Sequence, residues 1–293
     1  MKEIPQHLYP FEKHWLELDD LRLHYLDEGS GETVVAVHGN PTWSFYYRDL
    51  VRNLSDEYRV IVPDHMGCGL SDKPGDDAYE YTLERRIGDF SRLMDDLELD
   101  DINLVVHDWG GMIGLGWAAR NPERIRRLVI LNTAAFHLPR SKSFPWQLWM
   151  VRDTPLGPLM VRGFNGFARG ATHMACTRKK LSKEVRDAYC APYDSWAERI
   201  ATLRFVQDIP LGSGEPGYDI VSDTCAQLEV FRDRPVLVCW GDKDFVFDHH
   251  FLAEWERIFP EADVHRFADC GHYILEDASE EIIPLIRKFL AES

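Results

Sequence analysis

The chain has 293 residues, 45% hydrophobic and 28% charged, enough for one large domain or for a core carrying an insertion. Lys and Arg number 33 against 49 Asp and Glu, a net charge of −16. That balance argues against a nucleic-acid surface, which needs a clustered basic face.

The N-terminal MKEIPQHLYPFEKHW holds no apolar run of signal-peptide length. No window reaches the roughly 20 apolar residues of a membrane span. The six cysteines (Cys68, Cys176, Cys190, Cys225, Cys239, Cys270) are scattered without a C-x-x-C pair. They read as free thiols in a reducing compartment, so the expected location is cytoplasmic and the sequon at Asn53 is idle.

In chain order, HWLELDDLRLHYLDEG predicts two strands around Asp19-Asp20. Thr33–Gly39 and Tyr58–Asp64 read as buried strands, with a helical stretch near Ser44–Leu54 between them. Leu83, Ile87, Phe90, Leu93, Met94 and Leu97 recur at helical spacing, with Thr82 placed to cap. INLVVHD is a third strand, GGMIGLGWAARNPE a helix ending before Pro122, and IRRLVILNTA a fourth strand. RPVLVCWGDKD, HHFLAEWERIF, ADVHRFADCGH and SEEIIPLIRKFLAES then read strand, helix, strand, helix.

Such alternation predicts an α/β fold with a mostly parallel sheet covered on both faces. It breaks from about His137 to Val230, where the chain is helical, aromatic and partly basic. The expected organisation is a core over 1–136 and 231–293, with a helical cap over 137–230. Gly212-Ser213-Gly214-Glu215-Pro216-Gly217 fits G-x-G-x-x-G by letters, but it follows a proline-ended segment and not a strand, so it reads as a loop.

Three strand ends carry reactive groups: Asp108, Asp244 and His272. In open α/β sheets ligands bind beyond those ends, and acid, acid, His matches the α/β-hydrolase order of nucleophile, acid, His. Here Asp108 stands at the strand-to-helix elbow where a Ser is usual. A carboxylate is already ionised near pH 7 and can attack an electrophilic carbon directly. His272 would then activate water against the resulting ester, oriented by Asp244. The competing reading of Asp108 is an N-cap for the following helix. Asp244 is chosen over its neighbours Asp242 and Asp248. His249 and His250 read as a helix start, and no metal or cofactor is expected. In VHGNPTW, Asn40 offers backbone and amide N–H groups toward the elbow, and Pro41 suits a cis turn. Pro63–Asp72 reads as a structural turn.

VHGNPTWS, PDHMGCGLSDKP, VVHDWGGM, GDKD and CGH together resemble the haloalkane dehalogenases of the α/β-hydrolase fold, over about His14 to Leu290. The resemblance implies Asp108 as nucleophile, His272 as base, and Asn40 with Trp109 as halide donors. No acid follows the strand ending Leu131-Asn132-Thr133, so the relay acid maps to Asp244, as in the third dehalogenase subgroup. That subgroup adds a halide-site Arg, for which Arg199 and Arg204 are candidates. The cap segments PWQLWMVRD, RGFNGFARG, APYDSWAERIATLRFVQDIPLG and DFVFDHHFL resemble β-lactone decarboxylases of long-chain olefin biosynthesis, which use the same residues to release carbon dioxide and an alkene. Phe144, Trp146, Trp149, Phe164 and Phe167 are either pocket lining or cap core.

The leading expectation is therefore dehalogenation of a small apolar haloalkane through an aspartyl ester, giving alcohol and halide ion, with decarboxylation of a long-chain β-lactone as the alternative. An epoxide hydrolase would use cap tyrosines, for which Tyr189 and Tyr193 are available. A fluoroacetate dehalogenase or a receptor with a spent site fits less well. The aromatic run FPWQLWM predicts exposed apolar surface and a homo-oligomer.

Overall fold

A computed structural model describes residues 4–292. The strands are β1 (His14–Leu18), β2 (Leu21–Glu28), β3 (Glu32–Val37), β4 (Tyr58–Pro63), β5 (Ile102–Asp108), β6 (Ile125–Thr133), β7 (Val236–Gly241) and β8 (Asp263–Phe267). They form one sheet in the order β1-β2-β4-β3-β5-β6-β7-β8. The pairs β1·β2 and β2·β4 are antiparallel and the rest are parallel. The β1–β2 hairpin turns at Asp19, in left-handed backbone with φ 57°.

The strands are apolar throughout because both faces are covered. Val35 and Val37 of β3 join Leu104, Val106, Leu128 and Ile130 in one core layer. Val34 and Ala36 join Val105, Val129 and Leu131 in the other. This is the period of two expected of a pleated strand. Helix α1 (Arg48–Leu54) packs on the second layer. Helices α2 (Leu83–Asp96) and α3 (Trp109–Arg120) pack on the first. The Thr82 hydroxyl caps α2, accepting from the Arg85 N–H at 3.3 Å.

Between β6 and β7 the regular elements are helical: α4 (Trp146–Asp153), α5 (Leu156–Pro158), α6 (Gly166–Met174), α7 (Lys183–Cys190), α8 (Ile200–Gln207) and α9 (Tyr218–Gln227), with short 3-10 and π turns. Helices α10 (His249–Ile258) and α11 (Ile274–Ala291) complete the core. Gly212–Gly217 is turn, with α9 starting after Gly217. Asp248 caps α10, so His249 and His250 begin that helix. Among the described residues no helix is long and apolar enough to cross a membrane, and none of the six cysteines forms a disulfide.

Three boundaries depart from the sequence reading. Strand β7 stops at Gly241, so Asp244 stands in the turn beyond it and not at the strand end. The last strand stops at Phe267, because the polar, glycine-containing tail Asp269-Cys270-Gly271 curls into a loop, so His272 stands on that loop and not at a strand end. The last helix starts at Ile274 and kinks at Ala278, whose backbone is non-helical.

The cap is tied to the core by buried charge. Arg48 bonds Glu276, which also accepts the Tyr189 hydroxyl of α7 at 2.5 Å. The Pro63–Asp72 turn is structural, as expected. Asp64 is fully buried and accepts from the Ser44 N–H at 2.6 Å and the Leu70 N–H at 2.8 Å, with His24 Nδ1 at 2.8 Å.

Candidate active site

Strand β5 ends at Asp108, in backbone with φ 51° and ψ −127°. Such a conformation costs a non-glycine residue about 1–3 kcal/mol and persists only when its surroundings enforce it. Two glycines do so by letting the chain close in. A Cβ on Gly39 would lie 2.0 Å from Asp108 Oδ1, and one on Gly110 1.9 Å from the Val37 carbonyl oxygen. The Asp108 side chain makes no cap hydrogen bond to α3, which leaves the N-cap reading without support.

The five sequence-predicted site residues converge here. The Asn40 backbone N–H donates to Asp108 Oδ1 at 2.6 Å. The Asn40 amide donates to the Thr202 carbonyl of α8 at 3.1 Å, so a cap helix aims it. The Asn40–Pro41 bond is cis. Trp109 lines the same cavity, its indole edge-on to Phe205 at 5.3 Å. His272 Nε2 lies 3.6 Å from Asp108 Oδ2, and its Nδ1 lies 2.7 Å from Asp244 Oδ2. Asp242 pairs with Arg266 at 3.0 Å and Asp248 with Lys142 at 2.6 Å, so of the three acids only Asp244 reaches the imidazole.

Charge states follow from burial and neighbours. Burial raises the Asp108 carboxyl above the ordinary Asp range, against the opposing pull of His272 and the Asn40 N–H. Burial alone would lower His272, but Asp244 and then Asp108 override it, and the net shift is upward. Burial and the charge of His272 hold His107 well below the usual His range. A neutral His107 then donates Nε2–H to the His272 carbonyl at 2.8 Å.

Above the carboxylate lies a cavity of about 290 Å³ between core and cap, walled mainly by apolar side chains such as Phe136, Leu148, Val161, Phe167, Val206 and Phe247. The ionisable groups among its lining are Asp108, His272 and His137. Of the five cap aromatics, Phe144 and Phe167 line it, whereas Trp146, Trp149 and Phe164 point to solvent. Tyr189 and Tyr193 are absent from its walls, being spent on Glu276 and the Thr42 carbonyl, which removes the two phenols an epoxide hydrolase needs. Arg199 clips cap carbonyls, and Arg204 pairs with Asp76. Neither lines the cavity.

Three supporting residues escape a reading of the sequence. Asn132 donates to Asp244 Oδ2 and to the Gly241 carbonyl, both at 3.1 Å, and accepts from the Gly241 N–H at 2.8 Å. Its place at the end of β6, level with the elbow, is the signal that could have found it. His107 and Asp277 act through backbone contacts and leave no pattern in the letters.

Over residues 32–279 the chain matches the family model described as alpha/beta hydrolase fold, and the protein belongs to that family. It is 58% identical to the cis-3-alkyl-4-alkyloxetan-2-one decarboxylase of Shewanella oneidensis, over 98% of this chain and 90% of that one. It is 30% identical to a haloalkane dehalogenase of Psychrobacter cryohalolentis, over 97% and 94%. The crystal structure of the haloalkane dehalogenase DatA from Agrobacterium tumefaciens superposes with a TM-score of 0.85 at 25% identity, covering 95% of this chain and 96% of that one. The family resemblance holds, but the two activities exchange rank, because the decarboxylase likeness is much the stronger.

Proposed function

We propose that this member of the alpha/beta hydrolase fold family decarboxylates cis-3-alkyl-4-alkyloxetan-2-ones, opening a β-lactone at Asp108 to release an alkene and carbon dioxide. The observation that carries this reading is the 58% identity, over nearly the whole chain, to a protein of that name. The cavity agrees with it. Two alkyl chains need apolar walls, and a charged substrate would find no cation but His side chains there.

The residues suffice for a balanced reaction. A carboxylate oxygen of Asp108 attacks the ring carbon that bears the ring oxygen, from the opposite face. That C–O bond breaks with its electron pair on oxygen, so the lactone carbonyl becomes a free carboxylate on the adjacent carbon. Asn40 and Trp109 donate N–H groups to that carboxylate, where a dehalogenase would hold halide. The pair of the C–CO₂ bond then forms the double bond as carbon dioxide leaves and Asp108 departs with the ester C–O pair. Inversion followed by anti departure carries a cis ring to a cis alkene, and no water is consumed. His272, favoured as the cation by Asp244 and Asp108, stabilises the departing Asp108 carboxylate.

The test compares alkene release from a cis-β-lactone with bromide release from a long-chain bromoalkane. Fast alkene with slow bromide is expected. Bromide without alkene would hand the site to dehalogenation.

A further inference from the structure

The cap carries surface that this chemistry does not use. Residues 137 to 180 contain eight Lys and Arg against a single acid, Asp153, in a chain whose net charge is −16. Lys142, Arg152, Arg178 and Lys179 of this stretch pair with acids, whereas Arg140, Arg169 and Lys180 are exposed and make no ion pair among the described residues. Large apolar side chains stand among them: Trp146 is 66% exposed, Trp149 53% and Phe164 67%.

Helix α4 shows how this surface relates to the cavity. Trp146 and Trp149, three residues apart, share its outer face. Leu148 and Val151, also three apart, are buried and line the cavity. The helix is therefore apolar on both sides; among the described residues its inner side packs against α8, and its outer indoles stand in solvent. Met174, Leu211 and Phe245 are exposed and line the cavity as well, which marks them as its mouth. Apolar exterior thus continues into the route to Asp108. Nearby, the Arg162 guanidinium lies over the exposed Trp196 ring at 4.8 Å, which places a cation at the level of an indole.

Exposed tryptophan on α4, with exposed basic residues on the loop before it and on α6, is the composition of a surface lying in a membrane interface. The unpaired cations beside exposed indoles select the surface: an anionic headgroup layer attracts such a patch even on a chain of net charge −16. A water-insoluble dialkyl lactone would also reside in that layer.

We infer that the outer face of α4, α5 and α6, with Trp196, docks the enzyme on anionic lipid bilayers, so that substrate enters the cavity from the acyl phase. The identity of what enters rests on the lactone reading, whereas docking is measurable without substrate.

The test sediments the full chain with phosphatidylcholine vesicles, with and without phosphatidylglycerol. Binding to the anionic vesicles alone, released by salt, is expected. Trp146→Ser/Trp149→Ser/Phe164→Ser and, separately, Arg140→Glu/Arg169→Glu should each weaken it by roughly tenfold or more. Both variants should keep the wild-type Tm and turnover of a short, soluble lactone, while turnover of vesicle-borne long-chain lactone falls. No sedimentation with anionic vesicles, or sedimentation indifferent to both variants, overturns the proposal. Lipid-free dimerisation abolished by the same substitutions, without vesicle binding, also overturns it and assigns the face to a second copy. Vesicle binding by a protein that makes no alkene refutes the lactone reading and leaves docking standing.

Discussion

Asp277→Asn would test how the loop bearing His272 is held. The carboxylate is 1% exposed. Its Oδ2 accepts from the Gly271 N–H at 2.7 Å and the Thr177 N–H at 2.9 Å. Its Oδ1 accepts from the Arg178 and Lys179 N–H groups, both at 3.2 Å. One carboxylate thus fastens the residue before His272 to the loop that follows α6. Asn keeps one oxygen and turns the other into a donor, so two N–H groups face an N–H instead of an acceptor. At about 1.5–3 kcal/mol for each hydrogen bond to a charged group, two lost bonds cost about 3–6 kcal/mol. The lower end applies, because Thr177, Arg178 and Lys179 are partly open to water. About 3 kcal/mol is a large share of the 5–15 kcal/mol typical of a folded domain. Urea unfolding should show that loss as a lowered midpoint at constant slope, and kcat for alkene formation should drop with KM little changed. A shift under about 1 kcal/mol with kcat intact would refute the claim that Asp277 positions His272.

Asp108→Asn should abolish alkene formation while lactone binding survives, and wild-type turnover in oxygen-18 water should leave the Asp108 peptide unlabelled; label there would mean that an ester is hydrolysed by water. His272 titrates above its usual range, and in the lactone route it works as the cation, so kcat should fall as pH rises through its raised pKa. A fall on the acid side instead would make it a general base. Asp64 is held down at about 2 from 3.8, burial pushing it up but His24 and His38 pulling it down further. A depressed carboxyl stabilises the fold above its unfolded pKa and loses that contribution as pH falls from about 4 toward about 2. The unfolding free-energy gap between wild type and Asp64→Asn, about 2 kcal/mol near neutrality, should therefore close on acidification; a gap constant from pH 6 to pH 3 would refute this.

Much of the fold is legible because the causes are local. Buried parallel strands must be continuously apolar, and Thr33–Val37, Tyr58–Pro63 and Ile102–Val106 are. The elbow is legible because Asp-Trp-Gly-Gly after such a strand has few other uses. The expected helix near Ser44–Leu54 forms as a 3-10 turn leading into α1. The order of the two activities was not legible in the site residues, since both readings name the same five side chains; identity over the whole chain is what ranks them.

By itself the sequence determined the layered α/β architecture, the helical interruption between β6 and β7, and the placing of Asp108, Asn40 and His272 beyond the carboxyl ends of the strands, because strand burial and turn chemistry act within a few residues. The tertiary structure supplied the physical reason why Asp244, the acid expected from the sequence, is the one that reaches His272. Asp242, Asp244 and Asp248 lie within one loop, and the choice falls to Asn132 on a different strand, which holds Asp244 while Arg266 and Lys142 take the others. It also decided which cap aromatics face the cavity. Helical spacing gives Trp149 and Leu148 their directions relative to each other, but only packing against α8 turns Leu148 inward and leaves the indole of Trp149 in solvent.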